Sequence, residues 1–309
     1  MPELPEVEVV RSGLAPAVVG ARITGVEVFD ERALTRHAVT AVPDPAGRSS
    51  SRAADFERRL VNRTIRAAVR RGKFLWLPLD GSDKAVIAHL GMSGQMLLRE
   101  PGAPAERHER IRLTIEHPAH GELAIVFADQ RTFGSLALDA LVPTPDGAAG
   151  GHGDPLPLVA SQAAHIGRDP LDPAFRDAAF RAALARRRSG IKRVLLDQNL
   201  VSGIGNIYAD EALWAARIHP ETLAMDLSTR AVNRLLAEVR FVLEKALAEG
   251  GTSFDAQYVN VNGQAGYFVH SLNAYGRTGQ PCPRCGEPIA RIAFTNRSSH
   301  FCPRCQRRR

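Results

Sequence analysis

The sequence predicts an α+β chain with three parts: a β-rich amino-terminal region carrying one helix, a helical middle, and a small metal-bound hairpin at the carboxyl end. Three observations carry that reading. Early in the chain, short β-branched or alternating stretches are broken by Gly, Pro and Asp. From Phe175 onward, apolar residues recur at helical spacing. Beyond residue 281 the four cysteines fall as two Cys-x2-Cys pairs, Cys282/Cys285 and Cys302/Cys305, with sixteen residues between the pairs.

The elements follow in order. Residues 5–14 read as a helix, because proline suits a first turn, Glu6 and Glu8 complement the positive helix end, and Val7, Val10 and Leu14 share a face. Strands are expected at 23–29, 73–79, 85–90, 111–116 and 123–128, forming a sandwich with the helix on one side. Residues 40–54, rich in Pro, Gly, Ser and Arg, read as a loose insertion. Helices are expected at 175–187, 191–196, 207–218 and 228–249, the last stopped by Gly250-Gly251. The domain limits are therefore 1–145 for the sandwich, 146–173 for a Pro/Gly-rich linker, 174–275 for the helical domain and 276–309 for the hairpin.

Composition narrows the function classes. With 309 residues, 44% of them apolar, the chain supports full hydrophobic cores and is neither disordered nor fibrous. A formal charge of +7 predicts a polyanionic partner. No run of eighteen apolar residues and no basic-then-apolar leader is present, so a soluble, cytoplasmic protein is expected and a membrane protein is not. Of the forty cationic residues only four are lysines, which makes Lys73 conspicuous.

The cysteine spacing describes a closed four-thiolate site with no coordination position left for catalysis, so one structural Zn2+ is expected on Cys282, Cys285, Cys302 and Cys305. Function then lies on the hairpin surface, where eight arginines and one acid between 276 and 309 seek phosphates. The turn Gly203-Ile204-Gly205-Asn206 before a helix, with Arg186-Arg187-Arg188, Lys192 and Arg193 upstream, reads as a second phosphate site. At the other end, removal of Met1 would make Pro2 a free secondary amine beside Glu3. A nucleophile at one end and a nucleic-acid clamp at the other suggest a DNA glycosylase.

Six motifs then carry a resemblance. Pro2-Glu3-Leu4-Pro5-Glu6, Arg71-Gly72-Lys73, His89-Leu90-Gly91-Met92-Ser93-Gly94, Asp129-Gln130-Arg131-Thr132-Phe133-Gly134, Gly203-Ile204-Gly205-Asn206-Ile207-Tyr208 and the terminal zinc finger occur in one order. In that order they resemble the bacterial formamidopyrimidine-DNA glycosylases over nearly the whole chain. The resemblance implies a β-sandwich, a helix-two-turns-helix domain and a zinc finger. It also implies excision of oxidised purines such as 8-oxoguanine from duplex DNA, cleavage of the abasic site by β,δ-elimination, and a monomer working in the bacterial cytoplasm at the nucleoid.

The resemblance also assigns roles. Pro2 is the Schiff-base nucleophile, Glu3 the general acid, Lys73 the proton donor of β-elimination, and Arg297 the phosphate-binding group of δ-elimination. Met92, Arg131 and Phe133 fill the gap left by the flipped base, His108, Arg186 and Asn206 hold DNA, and residues 257–266 form a lid over the lesion. Residues 40–54 and the segment after Pro143 are longer than in compact members, and Thr132 stands where a basic residue is common. Three rivals stay open: an endonuclease VIII-like enzyme for oxidised pyrimidines, a non-catalytic damaged-DNA binder, and a zinc-ribbon component of the translation or transcription machinery. Leu4 and the set Met92, Arg131 and Phe133 favour the purine enzyme over its sister class.

Overall fold

The structure, a computed structural model, describes residues 2–39, 51–252, 261–262, 264 and 266–308. It divides into two compact units: Pro2 with 6–165 and the described residues of 253–266, and 3–5 with 166–252 and 267–308.

In the first unit the period-two stretches become two antiparallel sheets. One orders β1 (Arg22–Val28), β6 (Glu109–His117), β7 (Gly121–Asp129) and β5 (Gly94–Arg99) as β1-β6-β7-β5. The other runs β2 (Val69–Arg71), β3 (Phe74–Pro78), β4 (Lys84–His89), β8 (Ser135–Pro143) and β9 (Leu158–Ala160) in that order. Alternation places Ile111, Leu113 and Ile115 of β6 inward, where they join Leu75, Leu77, Val86 and Leu136 in a single core. Helix α1 (Leu4–Val18) closes that core with Val7, Val10, Leu14 and Val18. Each such aliphatic side chain contributes about 1.5–3 kcal/mol by leaving water.

The segment 146–173, which its composition marks as a linker, is built into both units. Its first part, to His165, belongs to the first unit, and the rest to the second. Strand β9 pairs with β8, and Arg70 and His152 exchange backbone hydrogen bonds of 2.9 and 2.8 Å. The glycines serve close approach rather than freedom. A Cβ on Gly150 would lie 1.8 Å from the Leu158 carbonyl oxygen, and one on Gly151 2.4 Å from that of Arg70. Of the insertion expected at 40–54, residues 40–50 lie outside the described residues. Ser51 caps α2 (Arg52–Leu60) through the Ala54 N–H.

The second unit holds α3 (Asp177–Leu184), α4 (Ile191–Leu195), α5 (Asn206–Ala215) and α6 (Thr229–Ala248), followed by the hairpin β10 (Ala290–Phe294) and β11 (Arg297–Phe301). Ser228 caps α6, and Gly250 and Gly251, at φ of 75° and 82°, end it. Leu4, fully buried, packs with Phe180, Ile204, Tyr208 and Leu243 in this unit's core. Among the described residues no helix is long and apolar enough to cross a membrane.

Candidate functional site

The second unit gathers its functional groups at the amino-terminal end of α5. The Glu3 carboxylate accepts the N–H groups of Gly205 at 2.6 Å, Ile207 at 2.9 Å and Tyr208 at 3.4 Å, while the Leu4 N–H donates to the Gly203 carbonyl at 2.9 Å. The glycines make this possible. A Cβ on Gly205 would lie 2.3 Å from the Glu3 carboxyl carbon, and Gly203, at φ +89°, would place one 2.7 Å from Leu4. Glu3 is almost wholly buried, and three N–H donors at a helix start favour its charged form. At this turn the N–H groups of Gly205, Ile207 and Tyr208 are taken by the chain's own carboxylate rather than left for a phosphate.

Around that clasp stand Asn206, Tyr275, Lys192 and Arg297. The Asn206 side chain hydrogen-bonds Tyr275, yet its buried Oδ1 has no hydrogen-bond partner among the described residues. Arg297 begins β11 exposed, and Arg186 is exposed just after α3. Lys192, which its basic neighbourhood marks as a phosphate ligand, is fully buried instead. Its Nζ pairs with Asp210 Oδ1 at 2.7 Å, donates to the Ser298 carbonyl at 3.0 Å and lies 4.9 Å from the Phe294 ring centroid. Burial pushes the Lys192 pKa down against the pull of Asp210. A run of charged letters looks solvated, and nothing in the letters marks the one that turns inward.

Helix α5 also carries the hairpin. Asp210 accepts from the His300 N–H at 2.9 Å, and the Glu211 carboxylate accepts the backbone N–H groups of Asn273, Ala274 and Tyr275 at 2.8–2.9 Å. The four cysteine Sγ atoms lie within 4.8 Å of one another, the packing of a tetrahedral thiolate site that could hold a structural metal ion. Burial opposes ionisation of Cys282, but the Trp214 indole N–H at 3.4 Å and the N–H groups of Arg284 and Cys285 outweigh it and bring the thiol to about 6. That sulfur is prepared to bind a cation.

In the first unit two loops lock together and push three side chains outward. Asp129, fully buried, accepts from Ser93 Oγ at 2.5 Å, from the Gly134 N–H at 2.7 Å and from the Arg131 N–H at 3.1 Å. Gly91, at φ +62°, would place a Cβ 2.4 Å from the Phe133 backbone. Met92 is 40% and Phe133 57% exposed, so neither is a core residue, and the Arg131 guanidinium lies 5.0 Å over the Phe133 ring. His108, at φ +64°, offers its carbonyl to the Asp129 N–H at 2.9 Å, which ties it to the same loop.

Lys73 follows Gly72 at the β2–β3 turn and is buried to 7% exposure. Beside it stands His89, a residue that sequence reasoning quoted in a motif but gave no role. Its ring meets Phe74 at 5.0 Å, over which Arg36 also lies at 5.6 Å. Burial, with Arg36 and Lys73 adding repulsion, lowers the His89 pKa to about 4. Its Nδ1 accepts the Gly91 N–H at 3.3 Å, so the neutral ring presents Nε2–H as a donor. The signal available in sequence was its position opening the Met92 motif. The lid residues expected at 257–266 lie outside the described residues except Val261, Asn262, Gln264 and Gly266. Pro2, buried, immediately precedes Glu3.

Residues 1–136 match the model of the formamidopyrimidine-DNA glycosylase N-terminal domain, 166–257 that of the formamidopyrimidine-DNA glycosylase H2TH domain, and 279–308 a zinc finger found in FPG and IleRS. The chain is 65% identical over 308 residues to the formamidopyrimidine-DNA glycosylase of Leifsonia xyli, covering 99% of this chain and all of that one. Among solved structures it is similar to the Lactococcus lactis Fpg in complex with an abasic site containing DNA. That match has a TM-score of 0.78 and 31% identity, over 99% of this chain and 100% of the other. A complex of the same L. lactis protein with a FAPY-dG containing DNA matches at 0.76, with 31% identity over the same shares.

Proposed function

This chain belongs to the formamidopyrimidine-DNA glycosylase family of glycosylases with abasic-site lyase activity, and from that premise we propose that it excises oxidised purines from duplex DNA, 8-oxoguanine and formamidopyrimidines among them, and then nicks the strand by β,δ-elimination. Removal of Met1 frees the Pro2 nitrogen. A terminal amine, with a reference pKa of about 7.7–8.0 against about 10.4 for lysine, keeps a useful free-base fraction at neutral pH. Its attack on C1′ displaces the damaged base. Opening of the sugar ring leaves a permanently charged iminium, which acidifies C2′ and lets the 3′ and then the 5′ phosphate depart.

Glu3, the residue next to that amine, is held in its clasp by three backbone N–H groups. It takes the proton that Pro2 loses and delivers it to the sugar ring oxygen. Lys73 supplies a proton during β-elimination, with the Nε2–H of His89 beside it as a neutral phosphate donor. Arg297 holds the phosphate that leaves in the δ step. Met92, Arg131 and Phe133 fill the space of the extruded base, His108, Arg186 and Asn206 contact the backbone, and residues 257–266 cover the lesion. The four cysteines hold one structural zinc, which supplies folding energy to the hairpin and no chemistry to the reaction.

One observation supports this most: the N–H of Gly205 and two N–H groups of α5 fix the carboxylate adjoining the Pro2 nucleophile. Borohydride added during reaction with an 8-oxoguanine duplex should trap a covalent adduct at Pro2, absent from a chain that retains Met1. A reproducible lack of adduct refutes the lyase assignment. Faster excision of thymine glycol than of 8-oxoguanine opposite cytosine would move the chain to the pyrimidine class.

A further inference from the structure

We propose that a basic cleft at the carboxyl end of α5, within the second unit, docks an acidic, partly aliphatic peptide segment of a partner protein. The cleft encloses about 1040 Å³ and is lined by Arg217, Arg230, Arg234, Arg284, Arg304 and Arg307. Two of these have a structural task. Arg284 lies 4.1 Å over the Trp214 ring and donates to the Trp214 carbonyl at 3.1 Å, and Arg234 donates to that of Ala216 at 2.9 Å. They serve the last carbonyls of the helix. The other four form no ion pair among the described residues, although their gathering costs self-repulsion that a bound anion would relieve.

Two acids, Asp226 and Glu238, share the lining, so six arginines leave an excess of four positive charges. His219 adds none near neutral pH, because burial lowers its pKa. The apolar part of the lining is aliphatic, made by Ala215, Ile218, Leu227 and Ala231. Helix α5 has ten residues and so spans roughly 15 Å, which separates the cleft from the Glu3 clasp at the other end.

The occupant follows from shape and chemistry. A duplex presents phosphates but no aliphatic side chains to the apolar part of the lining. A single strand gains its affinity by stacking bases on aromatic faces. Here the Trp214 face is covered by Arg284, and His219 is engaged edge-on with Phe301 at 4.6 Å. Carboxylates match the planar guanidinium fork, and aliphatic side chains match the apolar lining.

The test uses fluorescence anisotropy on the full metal-loaded chain, with a labelled nonapeptide of three Asp-Asp-Leu repeats, an Asn-Asn-Leu control and a nine-nucleotide oligothymidylate. The acidic peptide should bind with a Kd on the order of 10 μM. The control peptide and the double variant Arg217→Glu with Arg230→Glu should each weaken binding at least about tenfold, with excision from lesion duplex unchanged. Thermal melting checks the variant's fold. The milder pair Arg217→Ala with Arg230→Ala should give an intermediate loss and decides the matter if charge reversal unfolds the chain. Absent saturable binding of the acidic peptide, or binding that neither variant pair weakens, overturns the proposal. So does tighter, variant-sensitive binding of oligothymidylate, which would make the cleft a nucleic-acid site.

Discussion

Glycine-bearing turns in the two units do opposite things with similar means. The Gly203–Gly205 turn admits a carboxylate and buries it under helix N–H groups, whereas the turns at Gly91 and Gly134 press backbone against backbone so that Met92, Arg131 and Phe133 have nowhere to go but outward. Proton transfer profits from a dry, fixed group; filling a vacated stack needs an apolar group already in water. The same residue type serves both because what it provides is the absence of a side chain.

The sharpest way to break this contrast is at the buried carboxylate. Glu3→Gln keeps the size but removes the proton carrier, and single-turnover excision should fall about 10²–10⁴-fold while lesion-duplex binding persists. Gly205→Ala should reproduce part of that loss, since its methyl displaces the carboxylate; full activity in either variant would remove Glu3 from the chemistry. Next in size is the buried pair behind the clasp. Lys192→Met leaves Asp210 charged in the interior and should cost about 3–5 kcal/mol in urea unfolding, against nearly nothing if Lys192 faced solvent.

On the exposed side the signs reverse. Phe133→Ala should leave stability within about 0.5 kcal/mol yet weaken lesion-duplex binding roughly tenfold, because stacking is worth about 1–3 kcal/mol. A melting loss without a binding loss would return Phe133 to the core. A last effect, confined to acid pH, concerns His89. Its folded pKa of about 4 lies below the ordinary histidine value of about 6.5, so the folded state binds fewer protons between the two. Its contribution is therefore intact above pH 6.5 and is lost as pH falls toward 4, and His89→Asn should flatten that part of the stability profile relative to the parent.

Much of this was legible beforehand. Strands β1, β3, β4, β6 and β7 begin and end within a few residues of the expected ranges because their turns carry Gly, Pro and Asp. Strand β8 was invisible because its first five residues are all buried and give no alternation, and β5 begins on Gly94, the last residue of a motif read for chemistry. The second unit's helices matched their periodicity. Site residues were legible as types in a given order, but which donors the Glu3 carboxylate would claim, and that Lys192 would point inward, depend on packing between segments up to two hundred positions apart. Composition misled at 146–165, where glycine and proline signal tight backbone contact as readily as looseness.

Helix α5 holds Glu3 with the N–H groups of Ile207 and Tyr208, the hairpin with Asp210, its leading loop with Glu211 and the Cys282 thiol with Trp214. One inserted residue would rotate everything beyond it by about 100° and shift it by about 1.5 Å, putting these attachments out of phase. The order of residues along that single rod is thus what keeps its attachments aligned.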